Sequence, residues 1–182
     1  MNALKGYSIK IRYDAVVGLF LILQIARQRA SPTTSIEREI MLLEMMLVIA
    51  ITDGETVKVL SKDNQQLKIR LAAIDAPERK QPFGAKSKQM LSSFIGNERV
   101  NLDCPSKDRY NRLICTIRLR DGTDVNRAMV ANGGAWVYRH YYKGSDYLNA
   151  EKQARENGLG LWNTSEYKAI EPWKWRKQKY SF

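Results

Sequence analysis

Short runs of alternating apolar and polar residues fill the middle of the chain, and helical spacing takes over between and after them. Met46 to Ile51 is an apolar run that stops at Thr52-Asp53-Gly54-Glu55. Asp-Gly between apolar runs signals a hairpin. Thr56 to Leu60 is the return strand, and Asn64 marks the next turn. From Leu67 to Ile74, the residues Leu67, Ile69, Leu71 and Ala73 alternate with Lys68, Arg70 and Ala72. That period of two predicts a half-buried third strand. Pro77 ends any ladder there, because it lacks an N–H and holds Ala76 extended. Val100 to Asp103 is a brief fourth strand. A polar, basic loop over Pro105 to Asn111 follows, and Leu113 to Leu119 is the fifth strand, with Cys115, Ile117 and Leu119 on one face.

Three helices are predicted around these strands. Ala85 to Ile95 presents Met90, Leu91, Phe94 and Ile95 as an apolar face, and Gly96 closes it. Asp124 caps Val125 to Asn132, which stops at Gly133-Gly134. Asp146 to Asn157 ends at Gly158, and Ala135 to Tyr142 is an aromatic stretch. Five short strands with a helix after the third and two more at the end predict an α+β fold. Its core is a five-stranded, OB-fold-like Greek-key β-barrel with three α-helices packed on it. No internal repeat is present.

Residues 1–45 read as an N-terminal extension. Lys5, Lys10 and Arg12 precede an apolar run from Ala15 to Ala26. The run is shorter than the roughly 20 residues of a membrane span, and basic residues before a short apolar block resemble a secretory signal. Asp14 and the stretch Ala26-Arg27-Gln28-Arg29-Ala30 fit that pattern imperfectly, so a membrane-proximal anchor or a packing helix compete. Ser31-Pro32-Thr33-Thr34-Ser35 is a breaker cluster suited to a linker, and Ile36 to Met46 reads as helix. The chain thus divides into 1–45, a domain over 46–165, and a basic, Trp-rich tail over 166–182. Secretion or export to a periplasm is the expected localisation, with membrane anchoring or a cytoplasmic location as alternatives.

Charge changes the picture more than composition does. The formal net charge is +11. The first 45 residues hold six basic and four acidic residues, so +2, which leaves +9 on the remainder. A basic excess on the folded part favours polyanions such as nucleic acid or an anionic membrane. Two cysteines, Cys104 and Cys115, make no disulfide framework, although they could pair; Cys115 sits in an apolar run that suits a core. His140 is the sole histidine and there is no Cys/His cluster, which argues against a zinc site or a His-based triad.

Phosphodiester hydrolysis needs a deprotonated water, a neutralised phosphoryl charge and an in-line nucleophile. Hard oxygen ligands suit Ca²⁺ or Mg²⁺, and arginine forks suit phosphate. The strand-exit segment Arg70 to Glu78 places a cation and two acids on one stiff stretch. The Asp-Gly turn adds Glu55, and the loop before the fifth strand adds Arg112. Each alone is most simply a surface charge. Trp136, Tyr138, His140, Tyr141 and Tyr142 could stack bases, with Trp136 better suited to the core and Tyr141 and Tyr142 to the surface. The tail segment Trp173-Lys174-Trp175-Arg176-Lys177 could hold nucleic acid, or dock one Trp on the barrel.

Three stretches in order resemble the staphylococcal nuclease (thermonuclease) family. They are Ile51-Thr52-Asp53-Gly54-Glu55-Thr56-Val57, Arg70-Leu71-Ala72-Ala73-Ile74-Asp75-Ala76-Pro77-Glu78 and Asp108-Arg109-Tyr110-Asn111-Arg112. Gly158-Leu159-Gly160-Leu161-Trp162 is also similar to that family, so the likeness runs from about Val48 to Trp162. It implies a monomeric, Ca²⁺-dependent endonuclease on DNA and RNA that leaves 3′-phosphates. It further implies that Glu55, Asp75 and the Ala76 carbonyl hold one ion, that Glu78 is the general base, and that Arg70 and Arg112 bind phosphate. Arg109, Tyr110 and Tyr141 fall on substrate-binding positions. The chain departs from the family pattern at Glu55, where aspartate is usual, at Asn111, where glycine is usual, and in a shorter loop after Glu78. The rival expectation is a weak or inactive nuclease-like module that binds nucleic acid without cleaving it.

Overall fold

In the computed structural model, residues 45–163, 165 and 168–179 are described. The expectations placed on residues 1–44, including the apolar run and most of the helix over 36–46, lie outside them. Met46 itself begins a strand rather than ending a helix. Among the described residues no helix is long and apolar enough to cross a membrane.

The hairpin and meander signals build the barrel. The strands β1 (Met46–Ile51), β2 (Thr56–Leu60) and β3 (Gln66–Leu71) pair antiparallel in succession. After a short strand β4 (Ile74–Asp75) and helix α1 (Gly84–Ile95), β5 (Arg99–Lys107) and β6 (Leu113–Arg118) form a second hairpin. A parallel β3–β6 contact and an antiparallel β1–β5 contact close the barrel in the order β1-β2-β3-β6-β5. Closure removes the exposed sheet edges that an open meander would leave. Helices α2 (Val125–Ala131) and α3 (Asp146–Glu156) follow, with strand β7 (Trp136–Val137) between them, then a single 3₁₀ turn (Gly160–Trp162) and helix α4 (Pro172–Lys179). Val57, Val59, Ile69, Leu71, Cys115 and Ile117 fill the barrel, and Leu91, Ile95, Met129 and Ala150 bring the helices onto it.

Several local expectations change. The third strand does not run to Ile74. It stops at Leu71, and Ala73 takes a φ of 65°. The buried positions show why: Ile69 and Leu71 keep a period of two, but the next buried residue is Ile74, three positions on. A turn absorbs that slip in phase, and Ile74–Asp75 leaves the barrel to pair with Trp136–Val137. The fourth strand is longer than expected and includes Pro105, which sits where the β5–β6 register shifts between Asp103 and Ser106. A bulge is one of the few places a sheet accepts proline. Gly96 ends α1 in an extended conformation, and Asn97 is the residue with positive φ. A Cβ on Gly96 would lie 2.6 Å from the Ser92 carbonyl oxygen, so close approach requires this glycine. The tail, predicted without an element, contributes α4 as a fourth helix. Cys104 and Cys115 are joined in a disulfide across the β5–β6 hairpin, below the loop that carries Arg109 and Arg112.

Candidate active site

The site begins at the β1–β2 turn. The Glu55 N–H donates to Asp53 Oδ1 at 3.0 Å, which folds the turn onto itself. Gly54 is needed here for space, not for a left-handed backbone. A Cβ would fall 1.9 Å from Ser87 Oγ and 2.9 Å from the Ala76 Cβ. The turn therefore nests between α1 and the β4 exit, and Glu55 is delivered to the start of that exit. One of its oxygens, Oε2, accepts the Ala76 N–H at 2.9 Å and an Arg70 Nη2–H at 3.3 Å.

Arg70 is the hub. It lies opposite Thr56 in the β2–β3 ladder, and its fork donates to the carbonyls of Leu71 and Ile74 at 3.0 and 3.2 Å. Those two carbonyls flank the Ala72–Ala73 turn, so the same side chain that faces Glu55 also staples the break in the strand. Asp75 Oδ1 is 3.8 Å from Arg70 Nη2, and the Asp75 side chain is completely buried. Two carboxylates from distant turns thus converge on one guanidinium. Glu78, half-exposed just beyond Pro77, donates its backbone N–H to Gln81 Oε1 at 3.1 Å.

The second arginine is set by the β5–β6 loop. Asp108 accepts the backbone N–H groups of Tyr110 and Arg112 on Oδ1, and the Arg112 Nε–H on Oδ2 at 2.8 Å. Burial alone would raise the Asp108 carboxyl, but these hydrogen bonds outweigh it and hold it below its ordinary value. Asn111 adopts a φ of 65°, a conformation asparagine tolerates better than most residues. Arg112 Nη1 reaches Thr56 Oγ1 at 3.3 Å, so Thr56 lies between the two arginines. Arg109 and Tyr110 are exposed beside it; Arg109 bonds the Tyr110 hydroxyl at 2.8 Å, and the Tyr110 ring faces both Arg109 and Arg112.

The aromatic stretch sorts differently from its sequence. Trp136 is core, as expected. Tyr142 is not a free surface ring: it stacks on Tyr147 at 4.5 Å, and its hydroxyl accepts the Tyr147 N–H. Tyr141 is exposed and meets the Tyr138 ring edge-on at 5.0 Å. Tyr138 itself faces the Arg70 guanidinium at 5.9 Å and is the ring nearer the arginine hub.

Three further residues belong to this site in ways the sequence did not indicate. Arg176 of α4, expected within a basic tail segment that could hold nucleic acid, donates to Asp75 Oδ1 and Oδ2 at 3.1 and 2.8 Å, and to Glu78 Oε1 at 2.8 Å. Its three-residue spacing from Trp173 puts both on one side of a helix. Asn126 is fully buried; its carbonyl accepts the Ile117 N–H, and its amide donates to the Ala72 and Cys115 carbonyls. It ties α2 to the strand break. Glu151 is buried on α3 and accepts the Val137 N–H, fixing β7, against which β4 and Asp75 are paired. Its signal is visible in retrospect, since Tyr147, Ala150, Glu151 and Ala154 share the buried helical face.

The donor set around Arg70 is all oxygen: the carboxylates of Glu55 and Asp75. That chemistry fits a hard cation such as Ca²⁺ or Mg²⁺. Among the described residues no three His, Cys, Asp or Glu side chains form a cage. A cation on Glu55 and Asp75 would therefore complete its shell with water and substrate oxygens. Without a cation, burial pushes the Glu55 carboxyl from 4.5 up to about 8, against the attraction of Arg70. Burial also raises Asp75, opposed by Arg176 and Arg70. Glu55 therefore takes up a proton on folding across that interval. Its stabilising contribution is complete below pH 4.5 and lost as pH rises through about 8. In cation-free buffer, the urea-unfolding free energy is expected to decline across this window. One such group gives at most about 1.4 kcal/mol per pH unit. Glu55→Gln should flatten the decline; an unaltered slope would show that Glu55 does not carry it.

Comparison with known proteins identifies the family. The family pattern described as staphylococcal nuclease homologue matches residues 68–164. A Haemophilus influenzae protein named as an uncharacterized endonuclease is 41% identical over 132 residues, covering 72% of each chain. A Shigella flexneri protein named micrococcal nuclease is 39% identical over 140 residues, or 71% of this chain and 79% of that one. The Escherichia coli protein named ParB is 39% identical over 141 residues, or 72% and 78% of the two chains. With a closed five-stranded barrel, helices packed on it and this family pattern over more than half its length, the chain belongs to the staphylococcal nuclease family.

Proposed function

We propose that this protein is a calcium-dependent endonuclease that hydrolyses phosphodiester bonds of DNA and RNA and leaves 3′-phosphates. The observation that carries the reading is the convergence of Glu55 and Asp75 on Arg70, with Glu78 three residues further on. Arg112 joins them through Thr56. In this reading Glu78 accepts the proton of the attacking water. Water oxygen bonds to phosphorus as the bond to the 5′ oxygen breaks, and that oxygen takes a proton from solvent and leaves as a hydroxyl. Arg70 and Arg112 hold the phosphate and offset its growing charge, a role that guanidinium forks perform bidentately. Glu55, Asp75 and the Ala76 carbonyl would hold the ion, which supplies Lewis-acid stabilisation of the phosphoryl oxygens when bound. Arg109, Tyr110 and Tyr141 are exposed where neighbouring phosphates and bases could lie, and the +9 excess outside the first 45 residues supports a polyanionic substrate.

The disulfide between Cys104 and Cys115 supports an oxidising setting, and hence a secreted or periplasmic protein. A second reading, a nucleic-acid-binding module with little or no cleavage, is favoured by one observation: Arg176 lies on both Asp75 and Glu78. Digestion of labelled DNA and RNA separates the two. Cleavage with Ca²⁺ that stops on chelation, with 3′-phosphate ends on the products, is the expected result. Cleavage that persists in chelator would overturn the proposed metal dependence. Salt-sensitive binding without cleavage under any divalent ion would favour the module.

A further inference from the structure

Arg176 lies 98 residues from Glu78 and 101 from Asp75, yet it forms the densest set of ionic hydrogen bonds in the described site. Both Asp75 oxygens and one Glu78 oxygen accept from its fork. Asp75 has no solvent exposure, and the guanidinium lies on one of the two carboxylates assigned to the proposed ion. The helix that carries Arg176 is fastened beside the site by two further contacts. Trp173 stacks on Tyr138, with ring centroids 6.0 Å apart and planes 12° from parallel. Gln81, whose Oε1 holds the Glu78 backbone, donates its amide to the Ile170 carbonyl at 2.6 Å. Trp175 and the loop residues Arg79, Lys80 and Pro82 line a common groove.

We propose that Arg176 is a functional residue of this site: a tethered cation that competes with the divalent ion for Asp75 and Glu78. On this view α4 is a displaceable plug. The inference rests on the metal-dependent nuclease reading above and adds a residue to it. The physical reason is exclusion by charge and by ligand use. A guanidinium already uses both oxygens of Asp75, and a dication brought onto the same carboxylate would sit within one contact distance of a second positive charge. Arginine cannot shed its charge to relieve the conflict. It can only move, and the contacts described for α4 and the residue leading into it include the Trp173 stack, the Gln81–Ile170 hydrogen bond and these ionic contacts. Ion binding and α4 docking are then linked, each weakening the other by the same factor.

The test measures ion binding directly, not turnover. Calorimetric titration of the full chain with Ca²⁺ is compared for the parent protein, Arg176→Gln, Trp173→Ala and Lys174→Gln. Arg176→Gln is expected to tighten the apparent Kd at least tenfold. Trp173→Ala, which loosens the helix without touching either carboxylate, should tighten it as well. Lys174→Gln removes an equal charge from the same helix but faces Glu171, and it should leave the Kd within twofold. In the parent, Trp fluorescence should change as Ca²⁺ displaces α4, and this change should be smaller in Trp173→Ala, where only Trp175 of the helix is left to report it. Equal or weaker Ca²⁺ binding by Arg176→Gln would overturn the competition and leave the cation site standing. Equal tightening by Lys174→Gln would reduce the effect to general charge and overturn it too. Absence of Ca²⁺ binding in every protein, with their circular dichroism intact, would overturn the cation site itself and the plug with it.

Discussion

Glu78→Gln is expected to abolish most of the cleavage while leaving nucleic-acid binding in place. A general base contributes about 10²–10⁴-fold, and the amide keeps the shape but cannot take the proton. The substitution should be cheap for the fold. The Glu78 side chain is 42% exposed, its backbone contact to Gln81 does not involve the carboxylate, and a glutamine oxygen can still accept from Arg176. The measurement is the single-turnover rate at saturating Ca²⁺ beside the Kd for an uncleaved oligonucleotide. An undiminished rate would remove Glu78 from the chemistry and point to a solvent-derived base. A lost rate with equally lost binding would assign Glu78 to holding the site together.

The second large effect concerns stability, and it falls on a residue far from the phosphate clamp. Glu151 is 1% exposed, accepts the Val137 N–H at 3.1 Å, and pairs with Arg139 and Arg155. Both arginines are about half exposed and can return to water. The cost of Glu151→Ala therefore lies in the orphaned N–H and the space left behind, together roughly 2–4 kcal/mol. Glu151→Gln keeps an acceptor for Val137 and should cost less. Because Val137 pairs with Ile74 and Trp136 with Asp75, the alanine variant should also weaken Ca²⁺ binding. Urea unfolding of the three proteins checks the first part. A loss below that of an exposed pair such as Lys152–Glu156, about 0.5 kcal/mol, would show that the buried carboxylate is dispensable.

Much of the barrel was legible because each element carries its own local signal. The turn at Asp53-Gly54 and the alternation in β2 and β6 need only neighbours to be read. So do the helical faces of α1, α2 and α3. The strand break after Leu71 was less visible, since Ala72 and Ala73 are small and fit either a strand or a turn. It is decided by Arg70 and Asn126, which satisfy the carbonyls that the broken ladder leaves behind. Tyr142 was misread for a similar reason: a tyrosine is amphipathic, and only the approach of Tyr147 makes it a packing residue.

By itself, then, the sequence determined the order of strands and helices, the basic excess, and the short motifs that bring carboxylates and arginines to turns and strand ends. These follow from periodicity, backbone preference and net charge, which act over a few residues. The local β2–β3 ladder already sets Glu55 beside Arg70. Tertiary structure decided which of the remaining charges join them. Parallel pairing of β3 with β6 and antiparallel pairing of β4 with β7 are long-range choices that bring in Arg112 and fix Asp75. The docking of Arg176 on Asp75 and Glu78 is of the same kind. A lone arginine in a basic tail has no local pattern that names its partner, because ionic contacts across about a hundred residues are fixed only when the chain has closed around them.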